Sequence, residues 1–239
     1  MDEDLRISRR ASLVKLGGIL AGAAVVGGLK TADSVSATDE DTASAGPAGV
    51  ASGAVTCVLA PEQTEGPYYL DDHKVRRNIT EGRSGVPLTL RLTVVDVSTC
   101  KPIKGAAVDI WHCDAGGIYS GTSVQNTADE RFLRGIQRTD AKGAAVFQTI
   151  YPGWYSGRTV HIHVTVHVGG NVVHTGQLYF PDTLTDAVYK RSPYRRRPNR
   201  TTRNAADSIY RNGGKRSTLK LWKSGSAYVG SITMGVQRS

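Results

Sequence analysis

The amino-acid sequence predicts an all-β fold, an antiparallel β-sandwich with long active-site loops and little helix. Several short segments alternate polar residues with apolar or β-branched ones at a period of two, as β-strands do. Glycine and proline turn signals separate these segments, and long helical patterns are almost absent. A chain of 239 residues is long enough for one domain with tails and a proper core.

The predicted strands, in chain order, are Leu88–Val97, Ala106–His112, Ala144–Ile150, Thr159–Val168, Val172–Phe180 and Ala227–Val236. The second strand is expected to run antiparallel to the first, after a Lys-Pro turn. Gly169-Gly170-Asn171 predicts a hairpin between the fourth and fifth strands. Pro181–Lys223 is predicted to be irregular and basic, with one short helix at Ala205–Tyr210.

The beginning of the chain resembles an export signal. Ser8-Arg9-Arg10-Ala11-Ser12-Leu13-Val14-Lys15 is similar to a twin-arginine signal, and the apolar, glycine-rich run Leu16–Leu29 follows it. This run is too short for a convincing membrane span, although an uncleaved N-terminal anchor stays open. We therefore expect a twin-arginine-type export signal at 1–37, a flexible linker at 38–55 and the folded domain at 56–239. The protein would be exported, to the periplasm, the cell surface or the medium, and would keep no stable membrane span after processing.

The formal net charge is +9, with basic residues concentrated toward the C-terminal third of the chain. Such an excess of positive charge can indicate that the partner is nucleic acid, an acidic polymer or a membrane surface. The run Lys190–Arg203 contains seven basic residues, but no nucleic-acid-binding motif accompanies it. We interpret it as a solvated loop and expect no nucleic-acid partner.

The chain contains three cysteines, Cys57, Cys100 and Cys113. Cys57 and Cys100 flank the first predicted strand and lie near turns, so we expect a disulfide between them in an exported protein. The sequence alone leaves this connectivity open. Cys113 lies at the end of an apolar strand and is expected to be a buried free thiol.

His161 and His163 are the strongest candidates for a functional site. Residues two apart on a strand point to the same face, so the two imidazoles are expected to lie side by side and to form half of a metal site. Tyr155 and Arg158 precede them in a loop that can fold back over the strand end. The alternative is an ordinary strand with two satisfied or exposed histidines.

Tyr119 is a further candidate ligand, in a glycine-rich loop, Asp114–Gly121, that is expected to expose it. Tyrosine binds a metal well only as a phenolate, and its ordinary pKa is about 10. A strongly Lewis-acidic ion is therefore needed at neutral pH. Two phenolates and two imidazoles suit ferric iron better than zinc, and this donor set predicts Fe(III).

The segments WHCDAGGIYSG, YPGWYSGRTVHIHV and PEQTEGPYYL, with the later Gln177, resemble the intradiol ring-cleavage dioxygenases. This family includes the catechol and protocatechuate dioxygenases, and the match is best with exported, single-domain members. It covers residues 56 to 236 and includes the spacing Arg-x-x-His-x-His. The loop from Tyr155 to His161 is shorter than in the best-known members, which predicts a more open mouth.

The resemblance implies a role for each candidate residue. Tyr119, Tyr155, His161 and His163 would hold a non-haem Fe(III), with Tyr155 and His163 axial. Arg158 would be the cation near the substrate ring and Gln177 its polar partner. Tyr155 would also act as a base for the substrate.

The implied reaction is cleavage of catecholic rings between their two hydroxyls with dioxygen, giving cis,cis-muconate-type products. The setting would be extracytoplasmic breakdown of aromatic, lignin-derived catechols. Family members often assemble through sheet edges or the N-terminal segment, and a homodimer is compatible with the sequence. Two alternatives stay open: an exported β-sandwich recognition module, or an iron-binding protein without turnover. Neither would need Arg158 and Gln177 together with the four ligands.

Overall fold

The computed structural model describes residues 57–72 and 74–238. Its strands are β1 (Pro87–Asp96), β2 (Ala107–Trp111), β3 (Arg134–Arg138), β4 (Ala144–Ile150), β5 (His161–Val168), β6 (Asn171–Tyr179), β7 (Lys220–Ser224) and β8 (Ala227–Val236). Helical segments are α1 (Asp182–Val188), 3-10 turns at Ser123–Gln125, Tyr194–Arg196 and Asn204–Ala206, and a π-type turn at Tyr210–Gly214. The expected export signal and linker lie outside the described residues.

The strands form two four-stranded sheets, in the orders β4-β1-β8-β7 and β3-β2-β5-β6. Every strand pair is antiparallel except β1 with β8, which run parallel over Leu88–Asp96 and Tyr228–Val236. The predicted all-β sandwich with little helix is thus confirmed, with one parallel pair that the sequence did not indicate.

The pairing predicted for the second strand is wrong. Ala107–Trp111 does not pair with β1 but lies in the other sheet, between β3 and β5. Both edges of β1 are already occupied, by β4 on one side and β8 on the other. The chain therefore crosses to the second sheet after β1, and the Lys-Pro turn is part of this crossing rather than of a hairpin.

Two strands and one helix were missed because their sequences carry weak signals. β3 (RGIQR) and β7 (KLWKS) are five residues long and contain charged residues at positions that a pattern search treats as loop. Helix α1 begins directly after Pro181, which sits at its N-cap. In place of one helix at Ala205–Tyr210, the chain forms the 3-10 turn at Asn204–Ala206 and, after Asp207, a short helical turn at 208–209 that continues into the π-type turn at Tyr210–Gly214.

The core lies between the two sheets and follows the period-two pattern. Its inward-facing residues include Leu88, Leu90 and Leu92 of β1 and Ile162, Val164 and Val166 of β5. The outward face of β5 is also buried from His161 to Val166, since the segment before β1 lies across it. Gly66, for example, packs on the His163 ring, where a Cβ would lie 3.0 Å from His163 Cε1. This cover makes the outer face of the second sheet a protected place for polar side chains.

Cys57 and Cys100 form a disulfide with a Cα–Cα distance of 5.3 Å, and Cys113 is a buried free thiol. Both cysteine predictions are confirmed. The bridge ties the start of the described chain to the turn after β1, where Cys100 adopts a positive φ of 55°.

Removing this disulfide in a Cys57→Ser, Cys100→Ser variant is expected to destabilise the fold. For the sequence separation of 43 residues, chain entropy predicts a loss of about 4 kcal/mol in the free energy of unfolding. Urea unfolding of the full chain measures it, and reductant should destabilise the wild type while leaving the variant unchanged. Equal midpoints for variant and oxidised wild type would refute this expectation.

Candidate metal centre

Strand β5 places His161 and His163 together on the outward face of the second sheet. Their Nε2 atoms are 3.1 Å apart, and both rings are almost fully buried. His161 Nδ1 lies 2.6 Å from the Thr159 carbonyl oxygen and donates its proton there, which leaves the lone pair on Nε2. The backbone thus fixes the tautomer that a metal ligand needs.

The Tyr155 side chain reaches the two imidazoles from the loop before β5. Its hydroxyl lies 3.0 Å from His161 Nε2, and its ring meets the His161 ring edge-on. The loop turns through Gly157, whose φ of +82° is a conformation that glycine adopts readily. This turn brings Tyr155 back over the end of the strand, as the sequence indicated.

Tyr119 also faces this point, but it is buried, with 1% of its surface exposed, and the expectation that its loop exposes it is wrong. The Asp114 carboxylate accepts hydrogen bonds from the backbone of Gly116 and Ile118, which folds the loop inward. Tyr68 then stacks on the Tyr119 ring with centroids 4.2 Å apart. Glycine-rich composition indicated a loop, whereas this cover comes from distant residues.

The protonation states of the four side chains follow from their burial. Burial, assisted by the Arg158 charge, lowers the pKa of His161 to about 3, and burial lowers that of His163 well below its usual value. Burial raises the pKa of Tyr155 to about 12 and that of Tyr119 well above its usual value. Without an ion, the site therefore consists of neutral imidazoles and neutral phenols.

These residues fit Fe(III). The Tyr119 hydroxyl is buried without a hydrogen-bond partner among the described residues, which is costly unless something else satisfies it. Within residues 57–72 and 74–238, no three His, Cys, Asp or Glu side chains are grouped to hold a metal, so an ion here depends on the phenol oxygens. A phenol oxygen binds a metal as a phenolate, which is a hard anionic donor, so a site that needs phenol oxygens favours a hard, highly charged cation.

Arg158 and Gln177 lie beside the four candidate ligands and contact each other. The Arg158 guanidinium donates through Nη2 to Gln177 Oε1 and through Nε to Asp207 Oδ2 at 2.9 Å. Gln177 is held in turn, since its Nε2 donates to the Thr64 carbonyl at 3.0 Å and its Oε1 accepts from Tyr179 Oη at 3.1 Å. The structure therefore brings all six predicted site residues into one cluster.

Two further histidines, His112 and His167, lie outside this cluster. His112 is buried in the core, with Nδ1 2.8 Å from the Cys113 carbonyl and Nε2 2.7 Å from Thr149 Oγ1. His167 lies four residues beyond His163 on the same strand face, where β5 becomes partly exposed. Sequence reasoning missed Asp207, although it is the one acidic residue between positions 190 and 238.

Gly66 packs directly on His163, which suggests a test of the site. A Cβ at Gly66 would lie 3.0 Å from His163 Cε1, and its φ is +76°. Gly66→Ala should therefore displace the imidazole and speed the loss of iron to a chelator.

Gly82→Ala is the matched control, since its φ is +75°, nothing lies within 4 Å of a Cβ there, and it takes no part in the site. Both variants carry the conformational cost of a positive φ, about 1 kcal/mol, but Gly66→Ala alone crowds a candidate ligand. Equal iron retention in the two variants would show that the Gly66 contact does not shape the site.

The sandwich gathers two tyrosines and two histidines, with an arginine beside them, and these are the residues that the motifs predicted for a ring-cleaving dioxygenase. The Dioxygenase family model matches residues 64–191. An intradiol ring-cleavage dioxygenase from Tetranychus urticae is 38% identical, with a TM-score of 0.72 over 76% of this chain and 95% of that chain.

Two further relatives agree. The dioxygenase domain of a dioxygenase carbohydrate-binding protein fusion from Streptomyces sp. SirexAA-E is 32% identical, with a TM-score of 0.60 over 76% of this chain and 100% of that domain. The protocatechuate 3,4-dioxygenase beta chain of Burkholderia cepacia is 31% identical over 156 residues, which cover 57% of this chain and 65% of that protein. The chain thus spans less than two thirds of this curated relative.

The chain belongs to the intradiol ring-cleavage dioxygenase family. The family predicted from the motifs is confirmed, and the exported, single-domain type stays a prediction.

Proposed function

We propose that this protein is a non-haem Fe(III) enzyme that cleaves catecholic rings between their two hydroxyls, using dioxygen, to cis,cis-muconate-type products. The observation that carries the proposal is that His161 Nε2 lies 3.0 Å from Tyr155 Oη and 3.1 Å from His163 Nε2, with the buried Tyr119 ring edge-on to His163. Family membership supports the reaction type.

The residues of the site suit the proton and charge movements of this reaction. Bound Fe(III) would supply the Lewis acidity that makes phenolates and a catechol dianion accessible at neutral pH. Tyr155 is only partly buried and lies beside Arg158, so its oxygen can accept a proton from an incoming catechol. The Arg158 cation is placed to stabilise negative charge that develops on the substrate ring.

The substrate belongs, in this proposal, to the catechols. The Burkholderia cepacia relative is named for protocatechuate, and the candidates here are catechol, protocatechuate, hydroxyquinol and lignin-derived catechols. Tyr68 and Tyr155 meet edge to face with ring centroids 6.3 Å apart and border the site with aromatic surface, which suits a planar ring.

We place the enzyme outside the cytoplasm, exported through the twin-arginine-type signal. The Cys57–Cys100 disulfide supports this location because such bonds persist in oxidising compartments. Fractionation of the producing cell, with the full chain detected by antibody, tests it; protein confined to the cytoplasm would exclude export.

In the part of the chain that the structure describes, no helix combines the length and apolar character needed to cross a bilayer.

A homodimer is the assembly that we propose. Strand β7 is the outermost strand of its sheet and carries Trp222, which is 47% exposed and offers an edge for pairing. Light scattering on the full chain measures the mass, and a monomer across the working concentration range would remove this part of the proposal.

The visible spectrum of the iron-loaded full chain tests the function first. Two tyrosinates on Fe(III) should give a phenolate-to-iron charge-transfer band that shifts when catechol is added without dioxygen. Admitting dioxygen should then cause its uptake together with formation of a muconate-type product.

The outcomes separate the proposal from its two alternatives. Colour without dioxygen uptake, across the candidate catechols, would indicate an iron-binding protein without turnover. A protein that stays colourless after iron loading would indicate a recognition module whose metal site is not built.

A further inference from the structure

Asp207 is an acidic residue in a strongly basic part of the chain, and its side chain is fully buried with an exposed fraction of 0%. Its Oδ1 accepts hydrogen bonds from the backbone N–H groups of Ile209 at 2.8 Å and Tyr210 at 3.0 Å. Its Oδ2 accepts from Arg158 Nε at 2.9 Å and from Thr159 N at 2.8 Å. The Asp207 carboxylate thus accepts four hydrogen bonds.

This environment keeps Asp207 ionised. Burial opposes ionisation, but hydrogen bonds from the Tyr210 and Thr159 amides and the nearby Arg158 charge lower the pKa of Asp207 below its usual value. A buried carboxylate with all donors satisfied is a rigid partner, since any movement would leave polar groups unpaired.

Two contacts at different atoms fix the Arg158 guanidinium. Nε binds Asp207 and Nη2 binds Gln177, so both the position and the plane of the group are set. The Arg158 side chain remains 18% exposed, which leaves part of its cation available beside the cluster.

The same carboxylate also anchors the start of the strand that carries the histidines. Asp207 binds Thr159 N, and the Thr159 carbonyl accepts the proton of His161 Nδ1 at 2.6 Å. The Asp207 side chain therefore fixes the position of Arg158 relative to His161. This matters because a displacement of about 1 Å in an active site can cost about 100-fold in rate.

We propose that Asp207 is a positioning residue for ring cleavage, which acts by holding Arg158 in the orientation that stabilises charge on the substrate ring. This inference rests on the proposed function, because the role of Arg158 is part of it. Asp207 does not contact substrate in this proposal; it works through the guanidinium.

The test compares wild type with Asp207→Asn, Arg158→Ala and the double variant, all as iron-loaded full chains. In Asp207→Asn we expect unchanged iron content, a fall in kcat of about 10- to 100-fold as is typical for groups that orient catalytic residues, and little change in KM. The double variant should be no slower than Arg158→Ala alone, since Asp207 acts through Arg158.

Asp186→Asn is the matched control. Asp186 is also a carboxylate that binds arginines, Arg200 and Arg203, but it lies on α1 and takes no part in the site. Its replacement should leave kcat unchanged, which shows that the loss is specific to the Asp207–Arg158 pair.

Arg158→Lys keeps the proposal testable if Asp207→Asn fails to fold, because it leaves the carboxylate in place. Lysine keeps the charge but lacks the planar guanidinium whose two nitrogens bind Asp207 and Gln177 at the same time. We expect a kcat loss close to that of Arg158→Ala, and wild-type kcat in Arg158→Lys would overturn the inference.

Crystal structures of the variants separate this inference from the proposed function. In Asp207→Asn, or in Arg158→Lys if the former does not fold, the side chain at 158 should leave Gln177 Oε1. Retention of that contact, undiminished kcat in Asp207→Asn, or multiplied losses in the double variant would each refute the positioning role. A wild type that takes up no dioxygen would instead refute the proposed function, and the position of Arg158 would still decide the inference.

Discussion

Replacing His163 by alanine is expected to abolish stable iron binding and with it all turnover. His163 Nε2 lies 3.1 Å from His161 Nε2, which is itself 3.0 Å from Tyr155 Oη. The His163 ring stacks on Trp111 with ring centroids 5.0 Å apart and packs against Gly66. Removing a proposed ligand should cost more than the 10- to 100-fold loss of affinity that is typical when a residue supporting a ligand is removed, so we expect iron affinity to fall by more than about 100-fold. Iron content after dialysis against a chelator measures the effect.

His167→Ala is the control for this variant. It removes an imidazole from the same face of the same strand, but four residues farther from the cluster. It should retain iron and colour at wild-type levels. Comparable iron content in His163→Ala and wild type would show that the ion, if bound, is held elsewhere.

Six of the eight described strands could be predicted because one physical pattern, alternation at a period of two or an apolar run, marks them. Each inner-face residue of β1 and β5 alternates with an outward one, and Ala144–Ile150 and Ala227–Val236 match their predicted bounds. The hairpin signal at Gly169-Gly170 was equally local, since both glycines adopt positive φ values of 60° and 90°.

Strand partners could not be predicted in the same way. The apolar segment Ala107–Trp111 indicates a strand but says nothing about which sheet receives it, because pairing is decided by contacts between distant segments. The parallel β1–β8 pair joins the first and last strands of the described chain, and no local pattern encodes it.

The residues of the candidate site likewise differ in whether local sequence or distant contacts determine their positions. His161 and His163 share a face because of strand geometry alone, whereas the burial of Tyr119 requires Tyr68 from the distant segment before β1. Asp207 lies in a stretch whose composition indicates only a basic loop, and its contact with Arg158 spans 49 residues of sequence. Motif reasoning therefore finds the groups that carry chemistry more readily than the groups that hold them.

Replacing Tyr155 by phenylalanine should leave a folded protein that binds iron more weakly than wild type and, when it is loaded with excess iron, turns over far more slowly. The ring contacts of Tyr155 with Tyr68, Tyr119 and His161 would be kept, and only the oxygen 3.0 Å from His161 Nε2 would be lost. Because this oxygen is the proposed acceptor for a catechol proton, kcat should fall by roughly 100- to 10,000-fold, as for other lost acid–base groups. Dioxygen uptake with saturating catechol measures it.

The colour of the Tyr155→Phe protein separates loss of a base from loss of the whole site. Tyr119 would remain as a single phenolate donor, so the charge-transfer band should persist but move and weaken, and catechol should bind more weakly. Tyr210→Phe removes a tyrosine hydroxyl that lies 3.4 Å from Thr218 Oγ1, outside the site, and should change neither colour nor rate. Wild-type dioxygen uptake in Tyr155→Phe would mean that another group accepts the catechol proton, while a colourless Tyr155→Phe protein would mean that Tyr119 alone cannot hold the ion.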